Sequence, residues 1–262
     1  MERKEIKPDI ALFPAEFQPL LKSANLFDSS CSDTAEVIFI DKDAGYYLKS
    51  AEKGSLAKEA EMTRFFHEKS LGAEVLSYIS NEKDWMLTAK VPGEDCTTRK
   101  YLENPARLCD LLAQKLRELH SFDIAGCPIS DQTTAYYAIA EQNYKKGSYD
   151  KSAAERYGVC ASAEEAWKIV QSNKHLLKTD TLLHGDYCLP NVMLDDWKFS
   201  AFIDVGNGGV GDRHIDIFWG IWSLGYNLKT DRYRDRFLDA YGRDAIDIEM
   251  LPVIAAFEVF GG

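Results

Sequence analysis

The sequence predicts an α+β chain of two lobes, a small β-rich N-lobe and a larger helical C-lobe with an inserted β-hairpin. Three observations predict it. Short β-prone runs crowd the region before Lys90 around one helical stretch. Val91-Pro92-Gly93 then punctuates the chain. Beyond it leucines recur at helical spacing, interrupted once by a strand–turn–strand pattern. The lobes are expected at 1–90 and 91–262.

Glu36-Val37-Ile38-Phe39-Ile40 and Gly45-Tyr46-Tyr47-Leu48-Lys49 read as strands, joined by hairpin chemistry at Asp41-Lys42-Asp43-Ala44-Gly45. A helix is expected over 55–69, with Ser55 as its N-cap. Strand-like runs follow at 74–79 and 85–89. In the second lobe, Leu108, Leu111, Leu112, Leu116 and Leu119 mark a helix over 106–120. A further helix is expected at 163–171 and a brief strand at 181–183. Val192-Met193-Leu194 and Phe199-Ser200-Ala201-Phe202-Ile203 form a hairpin across Asp195-Asp196-Trp197-Lys198. From about Ile215 the pattern returns to helix.

Composition excludes several classes. A hydrophobic fraction of 45% can build a core, which removes wholesale disorder. Net charge is −11 with no Lys/Arg-rich run, so no nucleic-acid partner is expected. The six cysteines contain no C-x-x-C pair and read as incidental thiols of a reduced chain. Neither a signal peptide nor a membrane span is expected, and the chain reads as cytoplasmic.

The chemistry concentrates in His184-Gly185-Asp186-Tyr187-Cys188-Leu189-Pro190-Asn191, followed by Phe202-Ile203-Asp204-Val205-Gly206. Asp186 and Asn191 stand five apart, and Asp204 follows thirteen residues later. Phosphoryl transfer needs a carboxylate for the acceptor proton, and an amide oxygen with a second carboxylate for Mg²⁺. The order and gaps match the kinase pattern H-x-D-x-x-x-x-N followed by D-x-G. Asp186 is therefore the candidate base, and Asn191 and Asp204 the candidate metal ligands. His184 is read as orienting backbone. Lys49 closes an apolar strand, where a kinase lysine meets nucleotide phosphates. Glu59 and Glu61 are both near enough in sequence to partner it. Glu59 is favoured because it shares the apolar helix face of Leu56, Met62 and Phe66. No G-x-G-x-x-G precedes the first strands, so Ser29 to Ala35 is the candidate phosphate-covering loop.

Together with Gly211-Asp212-Arg213-His214-Ile215-Asp216-Ile217, these motifs resemble the aminoglycoside 3′-phosphotransferases, which have a protein-kinase-like fold. The resemblance implies transfer of the ATP (or GTP) γ-phosphate to the 3′-hydroxyl of a kanamycin-like antibiotic, with Mg²⁺. It implies that Tyr47 stacks on the base and that backbone groups of Ala89 and Val91 hydrogen-bond it. Asp216 would brace the catalytic loop. Glu258, Asp150 and Glu155 would face the polycationic acceptor. The chain departs from the family pattern at Asn207, where an Arg is usual, and at Tyr226 and Asn227, where acids are usual. Tyr226 thereby becomes a candidate substrate contact. Gly261 and Gly262 follow Phe260, where the family usually ends on an aromatic residue. A kinase of the same fold acting on a macrolide, amino alcohol or sugar is the alternative.

Overall fold

Alternating β-branched and aromatic residues build the first unit, and amphipathic helices build the second. A computed structural model describes residues 4–31, 34–149, 152–158 and 160–261, without the side chains of 154 and 155. The chain divides into two units, 1–93 with 200–206, and 94–199 with 207–262.

The first unit comprises β1 (Lys4–Ile6), α1 (Gln18–Lys22), β2 (Asn25–Asp28), β3 (Ala35–Asp41), β4 (Tyr46–Glu52), α2 (Ala57–Glu68), β5 (Val75–Ser80) and β6 (Lys83–Ala89). Its strands form one antiparallel sheet in the order β1-β2-β3-β4-β6-β5. Strand alternation sorts the side chains. Leu48 and its neighbour across the ladder, Leu87, pack with Phe17, Leu21 and Trp85 on one face. Ala51 and Met86 pack with Leu56 and Ala60 of α2 on the other. Lys49 lies opposite Met86, so its side chain is on the α2 face.

The start of α2 differs from the expectation. Ser55 does not cap it: its hydroxyl donates to Glu52 O at 2.6 Å. The N-cap is Leu56, and its N–H donates to the Asp84 carboxylate at 2.9 Å. Asp84, on β6 and buried, also accepts from the Tyr78 hydroxyl at 2.9 Å and the Ser80 hydroxyl at 2.6 Å. A carboxylate distant in sequence thus satisfies a helix-terminal donor and favours the positive helix end.

The second unit comprises β7 (Glu94–Asp95), α3 (Arg99–Leu102), α4 (Pro105–Leu119), α5 (Gln132–Lys146), α6 (Ala153–Arg156), α7 (Ala163–Asn173), β8 (Thr181–Leu183), β9 (Val192–Asp195), β10 (Lys198–Phe202), β11 (Gly209–Gly211), α8 (His214–Leu228), α9 (Arg234–Tyr241) and α10 (Met250–Glu258). The last three residues of β10 belong to the first unit. Leu108, Leu112, Leu116 and Leu119 of α4 are buried, as their spacing predicts. The turn of the β9–β10 hairpin places Asp196 and Trp197 at φ 44° and 67°. No helix among the described residues is long and apolar enough to cross a membrane.

Asp84→Ala should destabilise the protein by about 2–4 kcal/mol, because the buried Leu56 N–H and the part-buried Tyr78 and Ser80 hydroxyls lose their acceptor. Urea unfolding of the two proteins checks this, and Asp84→Asn should cost less.

Candidate functional site

In the first unit, β4 and α2 bring a cation to two carboxylates. Lys49 Nζ lies 2.8 Å from both Glu59 oxygens and 2.8 Å from Asp204 Oδ1. The α2 face that packs on the sheet carries Glu59 inward, and the pairing is with Glu59 rather than Glu61. Burial pulls the lysine pKa down, but the charges of Glu59 and Asp204 outweigh it and hold Lys49 above its ordinary value. Asp204 sits at φ 59°, in the left-handed region that an Asp occupies only under constraint. Its side chain stays 53% exposed, leaving carboxylate surface for a further partner. A Cβ on Gly206 would stand 3.2 Å from the Glu59 Cβ, so a small residue lets α2 approach this turn.

The candidate nucleotide contacts lie on the same sheet. Tyr47 shares the Lys49 face of β4, and its ring packs 5.2 Å from Phe39. The Ala89 N–H donates to Glu74 O. Among the described residues, the N–H of Val91 meets no backbone carbonyl. In the candidate phosphate loop, Ser30 Oγ accepts from Val37 N, while Ser32 and Asp33 lie outside the described residues.

In the second unit, a loop leaving β8 carries Asp186. Asn191 Nδ2 donates to Asp186 Oδ2 at 2.8 Å and to the Asp186 carbonyl at 3.0 Å. Both amide protons therefore face Asp186, and the Asn191 side-chain oxygen is turned away from it. The loop is braced from α8. The Asp216 carboxylate, fully buried, accepts N–H bonds from His184 and Gly185, each at 2.8 Å. It also accepts from His120 Nε2 at 3.1 Å, while His120 Nδ1 accepts the Tyr241 hydroxyl at 2.8 Å. Burial lowers the His120 pKa despite Asp216, which fits a neutral ring in this donor–acceptor chain. His184 Nδ1 accepts from Asp186 N at 3.3 Å, a bond that orients backbone. Gly185 has φ 86°, and a Cβ there would stand 2.0 Å from Asn207 O, so only glycine fits.

Two further braces escaped sequence reasoning. Ser223 Oγ accepts the Leu189 N–H at 2.9 Å. Asn227 Nδ2 donates to the Ser223 carbonyl at 2.8 Å. A serine inside an apolar helix offers only weak warning of such a role.

Among the candidate acceptor contacts, Glu258 is buried at the end of α10. It accepts from the Tyr136 hydroxyl at 2.8 Å and from Trp219 Nε1 at 3.0 Å. Burial, offset partly by these donors and reinforced by the negative charge of Asp186, pushes its pKa up to about 8. Tyr226 is 59% exposed and stacks on Trp222 at 5.1 Å. Asp150 and the Glu155 side chain lie outside the described residues.

The residues that would hold Mg²⁺ offer oxygen donors, the Asn191 amide and the Asp204 carboxylate, which suit a hard cation. Among the described residues no group of three or more His, Cys, Asp or Glu side chains could hold a metal alone.

A carboxylate–amide pair on a braced loop of one unit, and an ammonium held by a sheet and helix of the other, are the parts of a phosphoryl-transfer enzyme of kinase-like fold. The chain belongs to the phosphotransferase enzyme family, whose model matches residues 28–255. It is 48% identical over 98% of both chains to a probable aminoglycoside 3′-phosphotransferase of Lactococcus lactis subsp. lactis (strain IL1403). An aminoglycoside 3′-phosphotransferase of Niallia circulans is 32% identical over 63% of this chain and 62% of its own. Among solved structures, an aminoglycoside-3′-phosphotransferase of type VIII superposes with a TM-score of 0.74 at 26% identity, over 88% of this chain and 90% of that one. The fold of an aminoglycoside phosphotransferase from Streptomyces rimosus, solved with ADP and streptomycin, matches with a TM-score of 0.72 at 18% identity, over 87% of this chain and 90% of that one.

Glu258 makes stability pH-dependent. Its pKa rises from 4.5 unfolded to about 8 folded, so between these values the native state holds the extra proton. Its contribution is full below about 4.5 and is lost as pH rises through about 8. Glu258→Gln keeps an acceptor for Tyr136 and Trp219 but cannot ionise. Its melting temperature should overtake that of the parent protein as pH rises from 5 to 9 in a thermal scan, at about pH 7 and above.

Proposed function

We propose that the protein transfers the γ-phosphate of ATP or GTP to the 3′-hydroxyl of a kanamycin-like aminoglycoside, in the cytoplasm where the nucleotide is. The observation that carries this reading is the Asp186–Asn191 pair on a loop held by Asp216. The full-length similarity to a probable aminoglycoside 3′-phosphotransferase supports the acceptor class.

In this reading Asp186 accepts the proton of the attacking hydroxyl. The Asn191 amide fixes the rotation of that carboxylate, so the base is oriented before substrate arrives. Lys49 presents its ammonium to phosphate oxygens, and Glu59 and Asp204 keep it protonated and in place. Tyr47 offers a ring face to the base, and Ala89 O and Val91 N offer it an acceptor and a donor. The Asn191 oxygen and Asp204 would hold Mg²⁺, which supplies charge neutralisation on the phosphates. Asp216 touches no reacting atom in this scheme; it positions the loop.

Asp186→Asn should lower kcat by about 10²- to 10⁴-fold without altering the melting temperature, measured by coupled ADP release with kanamycin. Full turnover in that variant would sink the mechanism. A panel adding neomycin, a macrolide, an amino alcohol and a sugar tests the acceptor; ADP release with one of the last three alone would overturn the aminoglycoside reading.

A further inference from the structure

Asp84 is fully buried on β6, yet no step of the proposed reaction uses it. Its two oxygens divide their donors. Oδ2 accepts from the Leu56 N–H and from the Tyr78 hydroxyl, each at 2.9 Å, and Oδ1 accepts from the Ser80 hydroxyl at 2.6 Å. Burial alone would raise its pKa. The Gly54 amide, the Ser80 hydroxyl, the Leu56 amide and the Tyr78 hydroxyl outweigh burial and hold it below the ordinary value, so a charged carboxylate stands at the start of α2. Leu56 is the N-cap there, and its own side chain supplies no capping bond.

The place of this carboxylate on the ladder gives it a second consequence. Asp84 pairs with Ala51 and Met86 pairs with Lys49, so the anchor of α2 and the ammonium stand two residue pairs apart on one face of the sheet. Two strand residues span about 6.7 Å. Glu59 follows Leu56 by three residues, a rise of about 4.5 Å along the helix. The Lys49 and Glu59 side chains close the remainder, and Nζ meets both carboxylate oxygens at 2.8 Å. Leu56 and Ala60 also pack on Ala51 and Met86. That apolar attraction is non-directional and tolerates sliding along the helix axis. A hydrogen bond to a fixed carboxylate does not.

We propose that Asp84 is a positioning residue for nucleotide binding: it fixes the axial register of α2, and with it the Glu59 carboxylate that aims the Lys49 ammonium at phosphate. The inference rests on the reading of the chain as a nucleotide-dependent kinase. Asp84 touches no nucleotide in this scheme and acts through Glu59.

The calorimetric Kd of AMP-PNP with Mg²⁺ tests it. Asp84→Ala should raise this Kd by about three- to tenfold, part of the worth of one hydrogen bond to a charged group. Asp84→Asn keeps an oxygen for the Leu56 N–H and should restore the parent value. Ser80→Ala takes a donor from the same carboxylate but spares the Leu56 bond, so it should lower the melting temperature and leave Kd unchanged. In a Glu59→Ala background, Asp84→Ala should bring no further loss. Adenosine, which carries no phosphate, should bind the parent protein and Asp84→Ala alike. Circular dichroism melting establishes that each variant is folded; where Asp84→Ala is not, Asp84→Ser replaces it, because its hydroxyl is too short to reach the Leu56 N–H. Unchanged AMP-PNP affinity in the folded variant overturns the inference. So does an equal loss in the Glu59→Ala background or for adenosine, which would be general loosening of the unit. A parent protein that binds no AMP-PNP overturns the kinase reading as well, whereas the other failures leave that reading standing.

Discussion

The Asp216 carboxylate is the constraint on which the second unit turns. To leave β8 and present Asp186, the chain must pass through the left-handed turn at Gly185, which removes two consecutive N–H groups from any ladder. Asp216 takes both. Because a buried carboxylate needs donors as much as those amides need an acceptor, the loop and α8 stabilise each other. His120 and Tyr241 extend the chain of bonds into α4 and α9. With α8 fixed this way, Ser223 falls under the Leu189 amide and Trp219 meets Glu258.

In the first unit the comparable constraint is the placement of α2. Asp84 holds its first turn against β6, and that anchoring carries Glu59 to Lys49. The ammonium then sits between two carboxylates, with Asp204 held in a strained backbone conformation. Strain of this kind persists only where surrounding structure enforces it, here the turn that Gly206 allows close to α2.

The net charge of −11 is not concentrated in the cavity of about 790 Å³ that α8 borders. Glu258, the acid nearest to that description, is buried and held by Tyr136 and Trp219. Stacked aromatic rings and basic side chains line the space instead.

Much of this was legible in the chain itself. The spacing of Asp186, Asn191 and Asp204 survives as local geometry, since a loop of five residues brings the Asn191 amide onto Asp186. Helix periodicity placed Glu59 inward and the α4 leucines in the core. The short strands β1, β2, β7 and β11 were not legible, because two to four residues carry too little periodicity to register. Nor was the cap of α2, where Ser55 has the right local chemistry but Asp84, 28 residues away, accepts the bond. Sequence alone determined the loops and helices that carry reactive groups, because their patterns repeat over a few residues. Only the tertiary structure decided which distant partner completes some of them: Asp84 with Leu56, and Ser223 with Leu189. Those pairings depend on how helices and strands pack, and no local spacing encodes that.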